Sequence, residues 1–288
     1  MEARKKFRDA MSRPGYVIAP GAHDTLTAKL VEIAGFGAVY LTGGGYSRAS
    51  GFPDIGLLSF TEVVLYIGRT VEAVGIPVIT DMDSGFGNAI NVVRAVREYE
   101  KAGVAAFHLE DQVAPKKCGH YEGKQLVSKA EMVGKIRAAV DTRQDADMMI
   151  IGRTDAIAVE GFEAAMDRMN AYLEAGADIA FVEAPRSVEE LAAVPPRLAR
   201  PALANVFEGG KTPQLPAKQL EAMGYRLGIY PSQTHRAAIF AAKEVLEVLK
   251  RDGTTEAYEQ RMATFQQREE AVGAARWREI EDKYLRSV

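Results

Sequence analysis

The feature that most constrains this chain is a repeated alternation. Eight short apolar runs, rich in β-branched residues, are each followed by a segment with helical hydrophobic periodicity. The runs span 16–19, 37–42, 76–81, 104–110, 148–153, 178–183, 202–206 and 226–230, and the helical segments 23–34, 60–73, 89–102, 128–140, 161–175, 187–193, 216–223 and 233–250. Most runs lack a period-2 pattern, as parallel strands buried on both faces do. Eight consecutive strand–helix units predict an α/β fold, a (β/α)8 TIM-type barrel formed by residues 1–288 as one domain. Residues 2–13 read as an extra N-terminal helix and 254–284 as a helical C-terminal extension. An open doubly wound sheet is the alternative. The absence of a Gly-x-Gly-x-x-Gly turn after the first run disfavours it.

A net charge of −3 offers no basic field for nucleic acid or an anionic membrane. The single cysteine, Cys118, excludes a disulfide within the chain and fits a reducing cytoplasm. The N-terminal residues lack the apolar stretch of a signal peptide, and no apolar run approaches the ~20 residues of a membrane span. A cytoplasmic protein acting on a small molecule is the expectation.

In such a barrel, chemistry gathers at the C-terminal ends of the strands. Asp81, Asp83 and Glu110 would converge there, and buried carboxylates repel one another unless a cation compensates them. Carboxylates without histidine or thiolate companions suit a hard cation that keeps its waters, which points to Mg²⁺. The alternative is that these acids cap helices or pair with arginine and lysine. Gly43-Gly44-Gly45 either offers backbone N–H groups to an anion or is a flexible turn. In Lys116-Lys117-Cys118-Gly119-His120 the thiol is flanked by cationic residues that favour its ionisation. Gly119 and Gly123 allow this loop to close as a lid; otherwise Cys118 is an inert thiol in a basic loop. Arg153 can clamp a carboxylate in bidentate fashion, and it can also pair with Glu183 or Asp155. Tyr258, Phe265 and Trp277 are expected to pack the tail helices, His23 to cap a helix, and Met132, Met148 and Met149 to lie in the core.

Six motifs carry a resemblance: Tyr40-Leu41-Thr42-Gly43-Gly44-Gly45, Asp81-Met82-Asp83-Ser84-Gly85-Phe86-Gly87, His108-Leu109-Glu110-Asp111-Gln112, the cysteine loop 116–120, Gly152-Arg153-Thr154-Asp155-Ala156 and Ala204-Asn205. Over nearly its whole length the chain resembles the isocitrate lyase / phosphoenolpyruvate mutase superfamily. It is similar to the lyase branch, which holds methylisocitrate and 2,3-dimethylmalate lyases. The cysteine loop is the most specific motif, since phosphonate mutases typically lack its cysteine. The resemblance implies a Mg²⁺ shell (Mn²⁺ as a substitute) of Asp81, Asp83 and Glu110, with Asp54 nearby. It implies a carboxylate cradle at Thr42, Gly43 and Gly44, to which Asp81 adds a substrate contact. Arg153 becomes the substrate clamp, and Glu183, Asn205 and Ser232 become contacts to the rest of the substrate. Cys118 becomes the acid–base residue, with Lys116 and His120 beside it in the catalytic set. A homotetramer is implied too, with the eighth helix swapped between subunits, a small carboxylate as substrate, and no nucleic-acid or membrane partner.

The implied reaction is a Mg²⁺-dependent cleavage of a 2-hydroxy di- or tricarboxylate to an α-keto acid and a carboxylic acid. The segment Phe207–Pro213 is closer to alkylmalate lyases, and Thr42 stands where methylisocitrate lyases usually carry serine. Substrate choice therefore stays open between the two. The rivals are a carboxyphosphonoenolpyruvate phosphonomutase-like enzyme, an oxaloacetate hydrolase or decarboxylase, and a non-catalytic carboxylate-binding barrel. The intact acidic set and cysteine loop argue against the last.

Overall fold

The computed structural model describes residues 2–285 other than Cys118, His120 and Glu122. Its strands are β1 (Val17–Ala22), β2 (Val39–Leu41), β3 (Val78–Asp81), β4 (Ala106–Glu110), β5 (Met149–Thr154), β6 (Ile179–Val182), β7 (Ala202–Asn205) and β8 (Tyr225–Tyr230). They pair in chain order into a closed parallel barrel, with β8 returning to β1. All eight expected strands are present, with their ends shifted by a few residues.

Helix α1 (Glu2–Ser12) lies against the N-terminal end of the barrel. Its Arg4 Nε donates to the carbonyl of Val104, just before β4, and Phe7 and Met11 join the barrel interior. Then come α2 (Thr25–Ile33), α3 (Gly43–Ala49), α4 (Phe60–Ala73), α5 (Ala89–Ala102), α6 (Lys129–Thr142), α7 (Phe162–Glu174), α8 (Val188–Ala193), α9 (Ala217–Met223) and α10 (Gln233–Asp252). The tail forms a 3-10 helix at Glu256–Arg261, then α11 (Phe265–Ala271) and α12 (Ala274–Leu285). Helix starts follow local capping chemistry. Ser59 and Glu62 form a reciprocal box at α4, and Ser128 and Ser187 accept from the backbone N–H of Glu131 and Glu190.

Two apolar layers hold the barrel together. Tyr40, Ile79, Ala106, Ile151, Phe181 and Leu203 fill its interior. Their neighbours Leu41, Val78, Phe107, Ile150, Ala180 and Ala202 pack outward against the helices. This strict in–out alternation sets which strand-end residues face the mouth.

Several local expectations are corrected. The triple glycine opens helix α3 rather than a flexible turn. Asp24, not His23, caps α2, accepting from Thr27 N–H at 2.6 Å. Of the three tail aromatics only Tyr258 is buried; Phe265 and Trp277 are 69% and 68% exposed. Met132, Met148 and Met149 are buried as expected. No helix among the described residues is long and apolar enough to cross a membrane.

Candidate active site

On five strands an inward-facing core residue is followed by polar ones at the C-terminal mouth. Ile79 leads to Asp81, Ala106 to His108 and Glu110, Ile151 to Arg153, Phe181 to Glu183, and Leu203 to Asn205. Strand register places Asp81 beside His108 and Glu110 beside Arg153. A cavity of about 230 Å³ lies at this mouth, lined by Asp81, Arg153, Glu183 and Asn205. Tyr40, Thr42, Gly44, Asp54, Lys116 and Ser232 also line it.

Asp81, His108 and Glu110 each offer a donor atom, and these atoms lie within 4.8 Å of one another. Among the described residues, neither oxygen of Glu110 accepts a hydrogen bond, and His108 Nδ1 makes none. Burial pushes the Glu110 carboxyl well above its ordinary range, against the pull of Arg153, whose Nε lies 3.3 Å from Oε2. Burial also drives His108 well below the usual imidazole value, which keeps it neutral. Its Nε2 is bonded to Tyr40 Oη at 2.7 Å, and its Nδ1 lies 3.4 Å from Asp81 Oδ1. Buried donor atoms that share a space, with few hydrogen bonds to offset their burial, are groups a cation satisfies. The donor set fits one, and it contains a ring nitrogen that the all-carboxylate reading left out.

The other two acids expected around a metal stand one step away, on Lys116. Its Nζ is 2.5 Å from Asp54 Oδ1 and 3.0 Å from Asp83 Oδ1. Burial raises Asp83 to about 6, partly offset by Lys116. At Asp54 burial is outweighed by Lys116 together with Arg48 and Arg153, which hold the carboxyl below its usual range. Asp83 has φ of 47°, a left-handed conformation rare outside glycine. There its N–H donates to Asp81 Oδ1 at 2.8 Å, while its carbonyl accepts from Glu110 N–H at 3.0 Å. The strained turn thus ties the acids of β3 and β4 together.

Helix α3 brings Thr42, Gly43 and Gly44 to the same wall. A side chain on Gly43 would run into the Asp81 carboxylate. One on Gly44 would lie 2.7 Å from Arg48 Nη1 and 2.8 Å from Asp54 Oδ2. Close packing against these groups, not turn flexibility, is why glycine stands here.

Arg153 is fixed from three sides. Its Nε donates to Asp155 Oδ2 at 2.9 Å, Nη2 lies 3.9 Å from Glu183 Oε2, and the guanidinium covers Phe181 with its carbon 4.9 Å from the ring centre. Asn205 Nδ2 lies 3.2 Å from Glu183 Oε2. Ser232 lines the cavity, its hydroxyl buried and without a protein partner among the described residues. Cys118 and His120 lie outside the described residues. Their neighbour Gly119 lines the cavity.

Two side chains at the mouth had no role in the sequence reading: His108 as a donor to the cation cluster, and Tyr40. The i, i+2 spacing of His108 and Glu110 on one strand, and of Tyr40 and Thr42 on another, was the available signal.

Known proteins share this architecture. The family model described as phosphoenolpyruvate phosphomutase matches residues 7–250. The 2,3-dimethylmalate lyase of Eubacterium barkeri is 50% identical over 285 residues, covering 99% of each chain. The 2-methylisocitrate lyase of Aeropyrum pernix is 45% identical over 259 residues, covering 86% of this chain and 83% of its own. A crystal structure of 2,3-dimethylmalate lyase superposes with a TM-score of 0.93 at 36% identity, covering 98% of this chain and 95% of its own. A phosphonopyruvate hydrolase in complex with oxalate and Mg²⁺ superposes at 0.90 and 32% identity, covering 99% and 100%. The chain belongs to the phosphoenolpyruvate phosphomutase family, within the isocitrate lyase / phosphoenolpyruvate mutase superfamily.

Proposed function

We propose that this protein is a Mg²⁺-dependent carbon–carbon lyase that cleaves an alkyl-substituted malate into an α-keto acid and a carboxylic acid. The observation that carries the reading is one set of buried groups at one mouth: the Asp81, His108 and Glu110 cluster with the Arg153 guanidinium 3.3 Å from Glu110, beside a small cavity that Asp81 and Arg153 both line. Asp81 and Glu110 would hold the cation directly, with His108 beside them and Asp83 and Asp54 reaching it through water. Mn²⁺ would fit the same donors. When bound, the cation supplies Lewis-acid stabilisation of charge on the substrate's 2-oxygen.

Arg153 binds the carboxylate of the keto-acid half, aided by backbone N–H groups at Thr42, Gly43 and Gly44. Glu183, Asn205 and Ser232 orient the remainder. In the cleavage the C2–C3 bond breaks and its electron pair stays on C3. The 2-hydroxyl loses its proton and becomes the keto oxygen. Cys118 delivers the proton that C3 takes up, with Lys116 and His120 beside it. Phe207, Ile229, Pro231 and Ile239 give the same cavity an apolar side. Such a wall suits the methyl groups of an alkylmalate better than the third carboxylate of methylisocitrate, and the higher identity to 2,3-dimethylmalate lyase points the same way.

The reading extends to a single cytoplasmic barrel domain assembled as a homotetramer in which α10 is exchanged between neighbours. Every residue of α10 is at least partly exposed, and Ile239, Phe240, Leu246 and Leu249 are among the exposed apolar ones. An apolar groove beside Leu26, Leu30 and Phe36 of the α2 region supports the exchange. Parallel kcat/KM measurements on 2,3-dimethylmalate, 2-methylisocitrate and oxaloacetate test the substrate choice. Preference for the first by at least about tenfold is expected, as one or two buried methyl groups warrant. Preference for either of the others would reject the alkylmalate assignment.

A further inference from the structure

Asp111 is a buried acid that the cation cluster leaves out. It follows Glu110 in the chain and is fully buried. Glu110 points into the mouth, so the pleat turns Asp111 outward, toward α7. Asp111 Oδ2 accepts from Thr154 Oγ1 at 2.6 Å and from Tyr172 Oη at 2.8 Å, and Oδ1 accepts from the backbone N–H of Asp155 at 2.9 Å. Behind it, Arg168 Nη1 lies 3.6 Å from Oδ2 and donates to Tyr172 Oη at 3.2 Å. Arg168 is itself fixed by both oxygens of Glu160, at 2.7 and 2.6 Å. The two residues that Asp111 grips follow Arg153 directly. Asp155, whose N–H it holds, turns its carboxylate back to Arg153 and accepts from Nε at 2.9 Å and from Nη2 at 3.3 Å. Backbone pairing between β4 and β5 ends at Glu110 and Arg153. One residue on, the Asp111 side chain takes over the link between the two strand ends.

We propose that Asp111 is a positioning residue that sets where the Arg153 guanidinium stands relative to the cation cluster. This role rests on Arg153 being the clamp of the proposed reaction. A small dicarboxylate that meets both the cluster and Arg153 spans a fixed distance, so the two must be held at a fixed separation. Arg153 Nε stands only 3.3 Å from Glu110 Oε2, which leaves that separation little slack. A long arginine side chain does not find one position by ion pairing alone. Here it is held by a carboxylate whose own backbone is anchored: Asp111 fixes the Asp155 peptide, and Asp155 fixes the guanidinium. Arg168 balances the Asp111 charge from the outer side, so this frame is neutralised without drawing on Arg153. Asp111 acts only through Asp155 and contributes no atom to the mouth.

Isothermal titration of oxalate, a small dicarboxylate probe, into the full-length protein at saturating Mg²⁺ tests this without turnover. Asp111→Asn keeps the shape but turns one acceptor oxygen into a donor NH₂, so the groups on one side lose their acceptor. Its oxalate affinity should fall by at least about tenfold, as for a lost buried hydrogen bond to a charged group. The decisive comparison is a double-mutant cycle. Arg153→Lys alone should weaken oxalate binding. Adding Asp111→Asn to it should cost no more than about a further twofold, because the planar fork that Asp111 places is gone. Should Asp111→Asn fail to fold, Thr154→Val gives a second reading, since it is isosteric and removes only the hydroxyl bonded to Asp111. It should weaken oxalate by about threefold or more, and Thr154→Ser should restore wild-type affinity. Wild-type oxalate affinity in Asp111→Asn and Thr154→Val, with only a lower melting temperature, would overturn the positioning role and leave the clamp intact. Fully additive losses in the cycle would do the same. Oxalate affinity unchanged by Arg153→Lys would overturn the clamp and the positioning role together.

Discussion

At the scale of single residues, the mouth of the barrel separates groups that bind charge from groups that place them. Asp81→Ala removes one of several crowded acids. The fold should survive and gain from relieved repulsion, while turnover falls at least about 100-fold, beyond what loss of a mere outer contact to a metal costs. Far-ultraviolet dichroism and initial rates check both halves. Arg153→Lys keeps the charge but loses the planar fork held by Asp155 and Glu183. It should lower kcat/KM by roughly 10- to 100-fold, as for one lost charge-assisted hydrogen bond. Cys118→Ser should slow cleavage by ~100- to 10,000-fold with little change in KM, because a serine hydroxyl is too weak an acid for the same transfer. Near wild-type turnover in that variant would remove Cys118 from the mechanism. Much of this site is readable from residue type, because acids and an arginine at the ends of apolar runs have few roles in a barrel. His108 escapes that reading. It stands inside an apolar strand, and only the pleat, placing it on the same face as Glu110, shows that it meets the acids.

At the scale of elements, the strand–helix alternation is legible because each buried strand is a continuous apolar run and many of the helices, α2, α4, α5, α6 and α8 among them, begin at a side-chain cap. Helix α3 is not legible, because three glycines argue against a helix by propensity. Tertiary packing overrides that preference: Asp81, Asp54 and Arg48 leave no room for a side chain at Gly43 and Gly44. The tail is misread for a related reason. An aromatic residue in an amphipathic segment signals a partner surface but not which chain supplies it, and among the described residues Phe265 and Trp277 stay largely exposed. The same holds for α10. If its apolar face is buried by a neighbouring subunit, Ile239→Asp combined with Phe240→Asp should dissociate the assembly. Light scattering should then move from a tetramer toward the 31.3 kDa monomer. A wild-type particle that already has the monomer's mass would reject the exchange.

At the scale of the whole molecule, the mouth holds more buried acid than its lysines and arginine balance, and this sets a pH signature. Burial raises Asp83 to about 6 and Glu110 above its ordinary range. A carboxyl whose folded pKa is raised binds protons more tightly in the folded state. Its contribution to stability therefore falls as pH rises through the window from about 4 to about 6. A bound cation reverses that penalty by favouring the charged forms. Mg²⁺ should accordingly raise the melting temperature more at pH 7.5 than at pH 5, by mass action on the folded state. Differential scanning calorimetry at fixed Mg²⁺ checks it, and a shift independent of pH would mean the cation binds elsewhere.

The most direct test of the account is the fate of 2,3-dimethylmalate incubated with the protein and Mg²⁺ in D₂O. The account predicts pyruvate and propionate in equal amounts, with one deuterium on C2 of propionate, and no turnover after exhaustive chelation. Turnover that survives chelation, or failure to release pyruvate while oxaloacetate is split to oxalate and acetate, would contradict it.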